Sequence, residues 1–265
     1  MFYPFTIKAS VINQIKLETG TYANAGEDTD KNTRKALLRQ YLASTNGLID
    51  GKALKDLLFP KGRYHIFLSH SHGDLQIAQY LKAWFNINCG LKCFIDADVW
   101  GNAYDLLKEL DEKYSRPLPT SNYNYERRNQ TTAHVYSMLT MALFEAIDEI
   151  ECPIFIESSN SVTLEEGIKK STLSPWIYEE VGYMGKLPHK IPSRFSRTQY
   201  FSVGAESVML NEAEVSDSMQ MTHPLDVSKF KLIEKSDLTA MKGYNGESSL
   251  NTLYKRKLLL KRRIF

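Results

Sequence analysis

The sequence predicts an α/β protein in which helices flank a central parallel sheet. Between Tyr64 and Asp96 a short apolar run, an amphipathic helix and a second short run follow one another, as in a β-α-β unit. A third apolar run, Cys152–Ile156, resembles the first, and both end in small polar residues. Because ligands bind outside the carboxyl ends of parallel strands, we expect a polar site along that edge of the sheet.

Residues 1–62 are predicted to form a helical N-terminal extension that packs on the core. Apolar residues recur there at helical spacing, beginning at Ile7. Two roles are open for this segment: a helical layer on the edge of the sheet, which we favour, or a module for docking a partner or for oligomerisation. The remaining residues, 63–265, are predicted to form one α/β domain with an insertion near 115–130 and an extended C-terminal part.

The first predicted strand is the buried run Ile66–Leu68. Polar or small residues follow it at 69–74, and apolar residues then recur at helical spacing from Leu75 to Phe85. The second strand is Lys92–Asp96. The side chains that follow the two strands therefore share one edge of the sheet. They are Ser69, His70, Ser71, His72 and those of the segment after Asp96.

The segment Asp96–Asn102 is predicted to be a loop that offers polar and stacking groups. Trp100 either faces a ligand or anchors this loop in the core. The long helix that follows the insertion is expected to begin at 131–132. This start puts His134 in the first turn, where the helix dipole disfavours a positive charge. His134 is then either a donor that faces the ligand or a residue that bonds to a nearby loop, which we favour.

The third strand, Cys152–Ile156, ends in the polar residues 157–161, which add to the same edge. The next helix is predicted to start at Ser174, because serine is a favoured N-cap residue and a proline follows it at the first helical position. Trp176 and Glu180 are one turn apart and therefore share a face of this helix.

The composition is ordinary for a soluble globular protein, with 43% hydrophobic and 24% charged residues. A net charge of +2 gives no reason to expect a nucleic-acid partner, and no apolar run is long enough for a membrane span. Six basic residues within 255–265 are interpreted as a solvated end. The first residues lack a signal-peptide pattern and the three cysteines cannot all pair, so we expect packed, reduced thiols and a cytoplasmic location. No cysteine or histidine spacing suits a metal site.

Three features, in order along the chain, resemble the Toll/interleukin-1 receptor (TIR) domain. An aromatic residue, a strand and a serine-containing polar loop follow one another in Tyr64–Asp74, and the second strand ends in Phe94-Ile95-Asp96. Further on, a tryptophan precedes a glutamate by four positions, at Trp176 and Glu180. The resemblance covers roughly Arg63–Lys190 and implies a flavodoxin-like fold.

The resemblance also implies an activity. Many TIR domains hydrolyse or cyclise NAD⁺, and the glutamate that they use corresponds to Glu180. NAD⁺ is then the substrate and no separate cofactor is expected. The residues expected to bind it are Ser69, His70, Ser71, His72, Asp96, Trp100, Asn102, His134 and Trp176. Val99–Asn102 and Asp105–Leu107 resemble more closely the stand-alone prokaryotic TIR proteins of antiphage systems such as Thoeris. That likeness implies self-association through TIR–TIR contacts and a signalling product that a downstream effector senses.

Cleavage of the bond between ribose and nicotinamide releases a neutral leaving group from a cationic precursor, so no general acid is needed. The transition state resembles an oxocarbenium ion, as in glycoside hydrolysis. Glu180 is expected to hold the ribose hydroxyls and to stabilise the positive charge, while Trp176 stacks on nicotinamide or excludes water. Capture of the cation by water gives ADP-ribose, and capture within the same molecule gives a cyclic ADP-ribose isomer, the product that we favour.

Two other functions remain open. A non-catalytic TIR adaptor would act through TIR–TIR assembly at the Asp96–Asn102 loop. A flavodoxin-like nucleotide-binding module would bind NAD⁺ without cleaving it, and a related transferase would exchange its base. The structural alternative for Glu180 is a solvated helix residue.

Overall fold

The computed structural model describes residues 2–22, 31–44, 48–59, 61–99, 103–116, 122–165, 169–190, 192–195 and 221–258. The chain divides into two compact units. Unit 1 comprises Met1–Ala25, Arg63–Ile95 and Ile147–Phe265, and unit 2 comprises Gly26–Gly62 and Asp96–Ala146. Each unit therefore combines segments that are far apart in the chain.

The strands, in chain order, are β1 (Phe5–Lys8), β2 (Ile66–Ser69), β3 (Cys93–Phe94), β4 (Cys152–Glu157), β5 (Thr163–Glu165), β6 (Lys169–Thr172), β7 (His223–Pro224) and β8 (Lys231–Ile233). The helices are α1 (Ala9–Thr19), α2 (Lys31–Ser44), α3 (Gly51–Leu58), α4 (Leu75–Cys89), α5 (Asp96–Val99), α6 (Ala103–Tyr114), α7 (Tyr125–Glu149), α8 (Pro175–Lys186), α9 (Lys235–Met241) and α10 (Glu247–Lys257). In the part of the chain that the structure describes, no helix has the length and apolar character needed to cross a membrane.

A five-stranded sheet with the order β3-β2-β4-β1-β8 forms the centre of unit 1, and every neighbouring pair of strands is parallel. Strands β2 and β4 are buried along their whole length, as parallel strands covered on both faces are. Helix α1 packs against β1 and α4, and α4 packs against β3. The predicted α/β fold, a central parallel sheet flanked by helices, is confirmed. The order of β2, β3 and β4 matches the first three strands of a flavodoxin-like sheet.

Strand β1 corrects the prediction that residues 1–62 are helical throughout. Phe5–Ile7 are buried in the interior of the sheet, and Phe5 lies opposite Ile154 on one side and Lys231 on the other. Aromatic and β-branched residues favour strands. A strand of 4 residues is nevertheless too short for its apolar alternation to be recognised, because apolar residues at helical spacing follow it directly. The rest of the segment does contain helices, namely α1, α2 and α3.

The three cysteines are buried as free thiols, in the packing role that the sequence predicts. Cys93 and Cys152 both lie opposite Ile66, one on each side of it. Their Cα atoms are therefore two strand spacings apart, about 10 Å, which is too far for a disulfide. Burial raises the pKa of the Cys89 thiol to about 11 and also raises the pKa of Cys93 and Cys152. Thiols that stay protonated in this way are unreactive.

A second sheet of unit 1 is antiparallel, with the order β5-β6-β7, and α8 packs against β6 and β7. The C-terminal helices α9 and α10 pack against each other. Between them, Arg256 Nε and Lys257 Nζ bind the buried carboxylate of Asp237 at 2.7 and 2.6 Å. Two of the basic residues near the C-terminus therefore make ion pairs within the fold.

The described part of unit 2 is mainly helical, with α2, α3, α5, α6 and most of α7. Its buried apolar core consists of Leu38, Leu42, Leu54, Leu58, Phe59, Leu110, Val135 and Ala142. The predicted helix start at 131–132 is wrong. Helix α7 begins at Tyr125, because Asn124 Oδ1 accepts a hydrogen bond from the backbone N–H of Arg127 at 3.0 Å and caps the first turn. His134 consequently lies beyond that turn, and only residues before Tyr125 remain as the predicted insertion, of which 117–121 are outside the described residues.

Candidate active site

The carboxyl ends of β2 and β4 are neighbours at the point where the direction of the chain across the sheet reverses. From β2 the chain passes through α4 to β3 on one side, and from β4 it passes through α8 to β8 on the other. In open parallel sheets this switch point is where ligands bind, outside the carboxyl ends of the strands. Ser69 ends β2 and Glu157 ends β4, and we call this place the β2–β4 edge.

Glu180 lies at the β2–β4 edge and is buried. Ser69 Oγ donates a hydrogen bond to Glu180 Oε2, and the two residues are 1% and 4% exposed. Ile177 and Met184, at i−3 and i+4 from Glu180, are buried on the same face of α8 and hold that face inward. The structural alternative, a solvated helix residue, is therefore wrong for Glu180.

Helix α8 begins where the sequence predicts. Ser174 Oγ accepts a hydrogen bond from the backbone N–H of Ile177 at 3.3 Å, and a proline occupies the first turn. Trp176 is half-buried one turn before Glu180. Glu179, the next residue in the chain, is half-buried rather than buried. The two adjacent glutamates thus differ in burial, which makes Glu179 a matched control for Glu180.

A second buried carboxylate, that of Asp74, ties the loops after β2 and β4 together. Asp74 is 1% exposed, at the end of a short 3₁₀ turn formed by His72–Asp74. Its Oδ2 accepts a hydrogen bond from Ser158 Oγ, and its Oδ1 accepts one from Asn160 Nδ2 at 2.8 Å. A Cβ at Gly73 would lie 3.1 Å from Asn160 Nδ2, so glycine lets the two loops approach this closely.

A third buried carboxylate belongs to Glu157, which is 5% exposed at the last position of β4. Lys170 Nζ, from β6, donates to both of its oxygens, at 2.7 and 2.8 Å. The pair joins the antiparallel sheet to the end of the central sheet.

The polar residues between Ser69 and Asp74 are more open to solvent. His70 and Ser71 are half-buried and His72 is exposed. The His70 ring nitrogen Nδ1 lies 3.4 Å from the carbonyl oxygen of Leu68. These side chains are therefore at the β2–β4 edge, as the sequence predicts from their position after β2.

The other predicted ligand-binding residues belong to unit 2. Asp96 is half-buried in α5 and His134 is exposed on α7. The predicted loop Asp96–Asn102 is helical in its first part, since α5 covers Asp96–Val99. Trp100 and Asn102 lie outside the described residues.

Sequence reasoning missed the roles of Asp74, Asn160 and the pair Glu157–Lys170. Asp74 and 157–161 are visible in the sequence as polar residues that follow strands, so the signal for the edge was present. Nothing in the sequence indicates that Lys170, 13 residues beyond Glu157, returns to bind it. That contact depends on the turn of the chain into β5 and β6.

In the described residues no group of three or more His, Cys, Asp or Glu side chains is arranged to hold a metal ion. Comparison with family models, with curated proteins and with solved structures finds no match for this chain. The chemistry of the β2–β4 edge therefore has to be argued from its own residues.

Proposed function

We propose that this protein consumes NAD⁺ by cleaving the bond between ribose and nicotinamide at the β2–β4 edge, with Glu180 as the catalytic residue. The observation that carries the proposal is the buried carboxylate of Glu180, held by the Ser69 hydroxyl at the carboxyl end of a parallel strand. This place is the switch point of an open sheet, where nucleotides bind in other α/β proteins.

The chemistry required there is the stabilisation of a cation. When the bond between C1′ of the ribose and the nicotinamide nitrogen breaks, its electron pair leaves with nicotinamide, which becomes neutral, and the positive charge remains on the ribose. A preorganised carboxylate in a site with little water stabilises such a charge far more than it would in bulk water. Ser69 holds Glu180 in one geometry, so the carboxylate does not have to reorganise during the reaction.

Trp176 lies one turn before Glu180 on α8, at a spacing that places both on one face of the helix. In the proposed reaction it stacks on nicotinamide or keeps water from the ribose. Addition of water to C1′, with loss of a proton, gives ADP-ribose. Addition of a nucleophile from the same molecule gives a cyclic ADP-ribose isomer, and we favour this product because the sequence resembles TIR proteins of antiphage defence, in which the product serves as a signal.

The test is incubation of the purified protein with NAD⁺ at several protein concentrations, followed by chromatography and mass spectrometry of the products. We expect free nicotinamide and a product lighter than ADP-ribose by one water. Glu180→Gln should lower the rate by about a hundredfold or more, the effect of removing one electrostatic contact to a transition state. Glu179→Gln is the matched control and should stay within about twofold of the unchanged protein.

Equal loss of activity in the Glu179 and Glu180 variants would contradict the assignment of the catalytic residue. If the unchanged protein and Glu180→Gln are equally inert at every concentration, the enzyme proposal fails. A non-catalytic adaptor that acts through TIR–TIR assembly then becomes the better explanation.

A further inference from the structure

A group of three charged residues, Lys8, Glu157 and Lys170, lies at the carboxyl ends of β1 and β4, and we call it the basic cluster. Lys8 lies directly opposite Glu157 in the parallel pairing of β1 with β4. Lys170 Nζ binds both carboxylate oxygens of Glu157, at 2.7 and 2.8 Å. Two lysines and one glutamate thus lie together at the ends of β1 and β4, which leaves a net positive charge there.

The basic cluster and Glu180 lie on the same face of the sheet. Ser69, which binds Glu180, is opposite Phe155, and Glu157 follows Phe155 by two positions. Side chains two positions apart in a strand point to the same face. From a rise of about 3.3 Å per residue and a strand spacing of about 4.8 Å, the Cα atoms of Ser69 and Glu157 are roughly 8 Å apart. Glu180, bound at Ser69, and Lys170, bound at Glu157, are therefore held at neighbouring positions of the sheet edge, as the nicotinamide ribose and the diphosphate are neighbours in NAD⁺.

The basic cluster is poorly explained as a device for stability. A buried ion pair costs desolvation energy that its attraction rarely exceeds, and replacing it by apolar residues is often neutral or stabilising. The Glu157 side chain is 4% exposed and the Lys170 side chain is 17% exposed, so the lysine is the more accessible member of the pair. Glu157 therefore holds Lys170 in a fixed position at the surface of the edge.

Both lysines have N–H donors that can bind a phosphate group. An ammonium group has three N–H donors, and Glu157 accepts from Lys170 with two oxygens. The Lys8 ammonium makes no ion pair with any residue that the structure describes. Among the residues that the structure describes, the buried carboxylates of Asp74 and Glu180 also lie at the β2–β4 edge, and carboxylates repel an anion. Lys8 and Lys170 supply positive charge that a phosphorylated ligand can use there.

We propose that Lys8 and Lys170, positioned by Glu157, bind the diphosphate of a dinucleotide at the β2–β4 edge. The placement of the ribose next to Glu180 rests on the proposed function, but the binding of a diphosphate by the two lysines does not. The subsite deepens that function, because it orients NAD⁺ with its nicotinamide ribose toward Ser69 and Glu180.

The direct test is calorimetric titration of the full chain with inorganic pyrophosphate and, separately, with inorganic phosphate. Pyrophosphate should bind, and phosphate should bind at least about tenfold more weakly, because one phosphate does not span two ammonium groups. Lys8→Gln should weaken pyrophosphate binding by about tenfold or more. The double change Glu157→Gln with Lys170→Met should weaken pyrophosphate binding to a similar extent. Because both partners are changed, no buried charge is left without its counter-ion.

Lys92→Gln is the matched control. Lys92 is an exposed lysine of unit 1 that precedes β3 and so lies at the opposite, amino-terminal edge of the sheet. Its substitution should leave pyrophosphate binding unchanged. Absence of pyrophosphate binding to the unchanged protein, equal binding of phosphate, or an equal loss in Lys92→Gln and Lys8→Gln would overturn the subsite.

Glu157→Gln alone should change the affinity for pyrophosphate in the opposite direction. The glutamine amide oxygen still accepts a hydrogen bond from Lys170 Nζ and so keeps it in position, but the negative charge that repels the ligand is gone, so pyrophosphate should bind more tightly, by about threefold or more. Weaker binding in this variant, with circular dichroism unchanged, would overturn the role given to Lys170.

Kinetics with NAD⁺ separate this inference from the proposed function. If NAD⁺ is cleaved, Lys8→Gln should raise KM about tenfold with a much smaller effect on kcat, because the diphosphate lies away from the bond that breaks. Cleavage with an unchanged KM in Lys8→Gln would overturn the subsite and leave the enzyme proposal intact. Pyrophosphate binding by a protein that does not cleave NAD⁺ would support the subsite and count against the enzyme proposal.

Discussion

Two buried aspartates, Asp111 of unit 2 and Asp74 of unit 1, have partners of different charge. In unit 2, Asp111 is 3% exposed and accepts hydrogen bonds from Arg128 Nε at 3.2 Å and from Ser115 Oγ at 2.9 Å. In unit 1, Asp74 is 1% exposed and accepts hydrogen bonds from the neutral side chains of Ser158 and Asn160. The Arg128 guanidinium offsets the negative charge of Asp111. The Ser158 hydroxyl and the Asn160 amide give Asp74 its hydrogen bonds but do not offset its charge.

This difference in partners indicates that the carboxylates of Asp111 and Asp74 have different roles. Desolvating a carboxylate is costly, and an ion pair is the usual way to compensate that cost within a fold. At the β2–β4 edge the partners of Asp74 and the Ser69 hydroxyl on Glu180 supply hydrogen bonds but no positive charge. Next to Asp74 and Glu180 this edge favours a group that is or becomes cationic, as the ribose does in the proposed reaction, whereas Lys170 supplies positive charge beside Glu157.

The stability of unit 2 comes from its apolar core, so the largest effect on stability is expected there. Leu54 is 3% exposed within that core. Leu54→Ala should lower the free energy of unfolding by about 2–5 kcal/mol, because it removes buried methyl groups and leaves a cavity. Urea unfolding followed by circular dichroism measures this change. Leu48→Ala is the control, since Leu48 is 91% exposed, and a similar loss in both variants would contradict the assignment of the core.

At the β2–β4 edge the expected effect on stability is smaller and comes from hydrogen bonds. Asp74→Ala should lower the free energy of unfolding by about 1–3 kcal/mol, because Ser158 and Asn160 lose their buried acceptor. Limited proteolysis should also become faster within 157–161, since Asp74 ties that loop to the end of β2. Unchanged stability together with unchanged proteolysis would show that Asp74 does not hold the two loops together.

The smallest effect on stability is expected for Asp50, an exposed aspartate of unit 2. Asp50 Oδ1 caps α3 by accepting hydrogen bonds from the backbone N–H groups of Lys52 and Ala53, at 2.9 and 3.1 Å. Asp50→Ala should lower the free energy of unfolding by about 1 kcal/mol, and Asp50→Ser, which keeps a capping oxygen, by only a few tenths. Thermal denaturation of the two variants side by side measures the difference. A larger loss for Asp50→Ala than for Asp74→Ala would reverse the expected order.

Much of the β2–β4 edge was predictable, because its signals are local. The run Ile66–Leu68 is followed at once by polar residues, and Ser174 with its proline marks the start of α8. Helical spacing then places Glu180 one turn after Trp176. The strand end, the cap and the helical period predict where the edge lies and which helix face carries Glu180, and the resemblance to TIR domains is what implies that Glu180 belongs to the site.

Other features were missed because their signals are weak or ambiguous over a short stretch. The start of α7 was placed several residues late, since the polar residues from Tyr125 onward look like a loop until Asn124 is seen to cap them. The segment after Asp96 was expected to be a loop, although its first residues form α5. Helix boundaries depend on capping contacts that a polar sequence does not reveal.

The β2-α4-β3 unit, the end of β4 and the face of α8 that carries Glu180 follow from the amino-acid sequence alone, because each depends on the period and the ends of one element. The position of β1 between β4 and β8, and the contact of Lys170 with Glu157 opposite Lys8, are visible only in the folded protein. These contacts join segments that are distant in the chain. Pairing of parallel strands depends on burial and register across the whole sheet, and no short stretch of sequence contains that information.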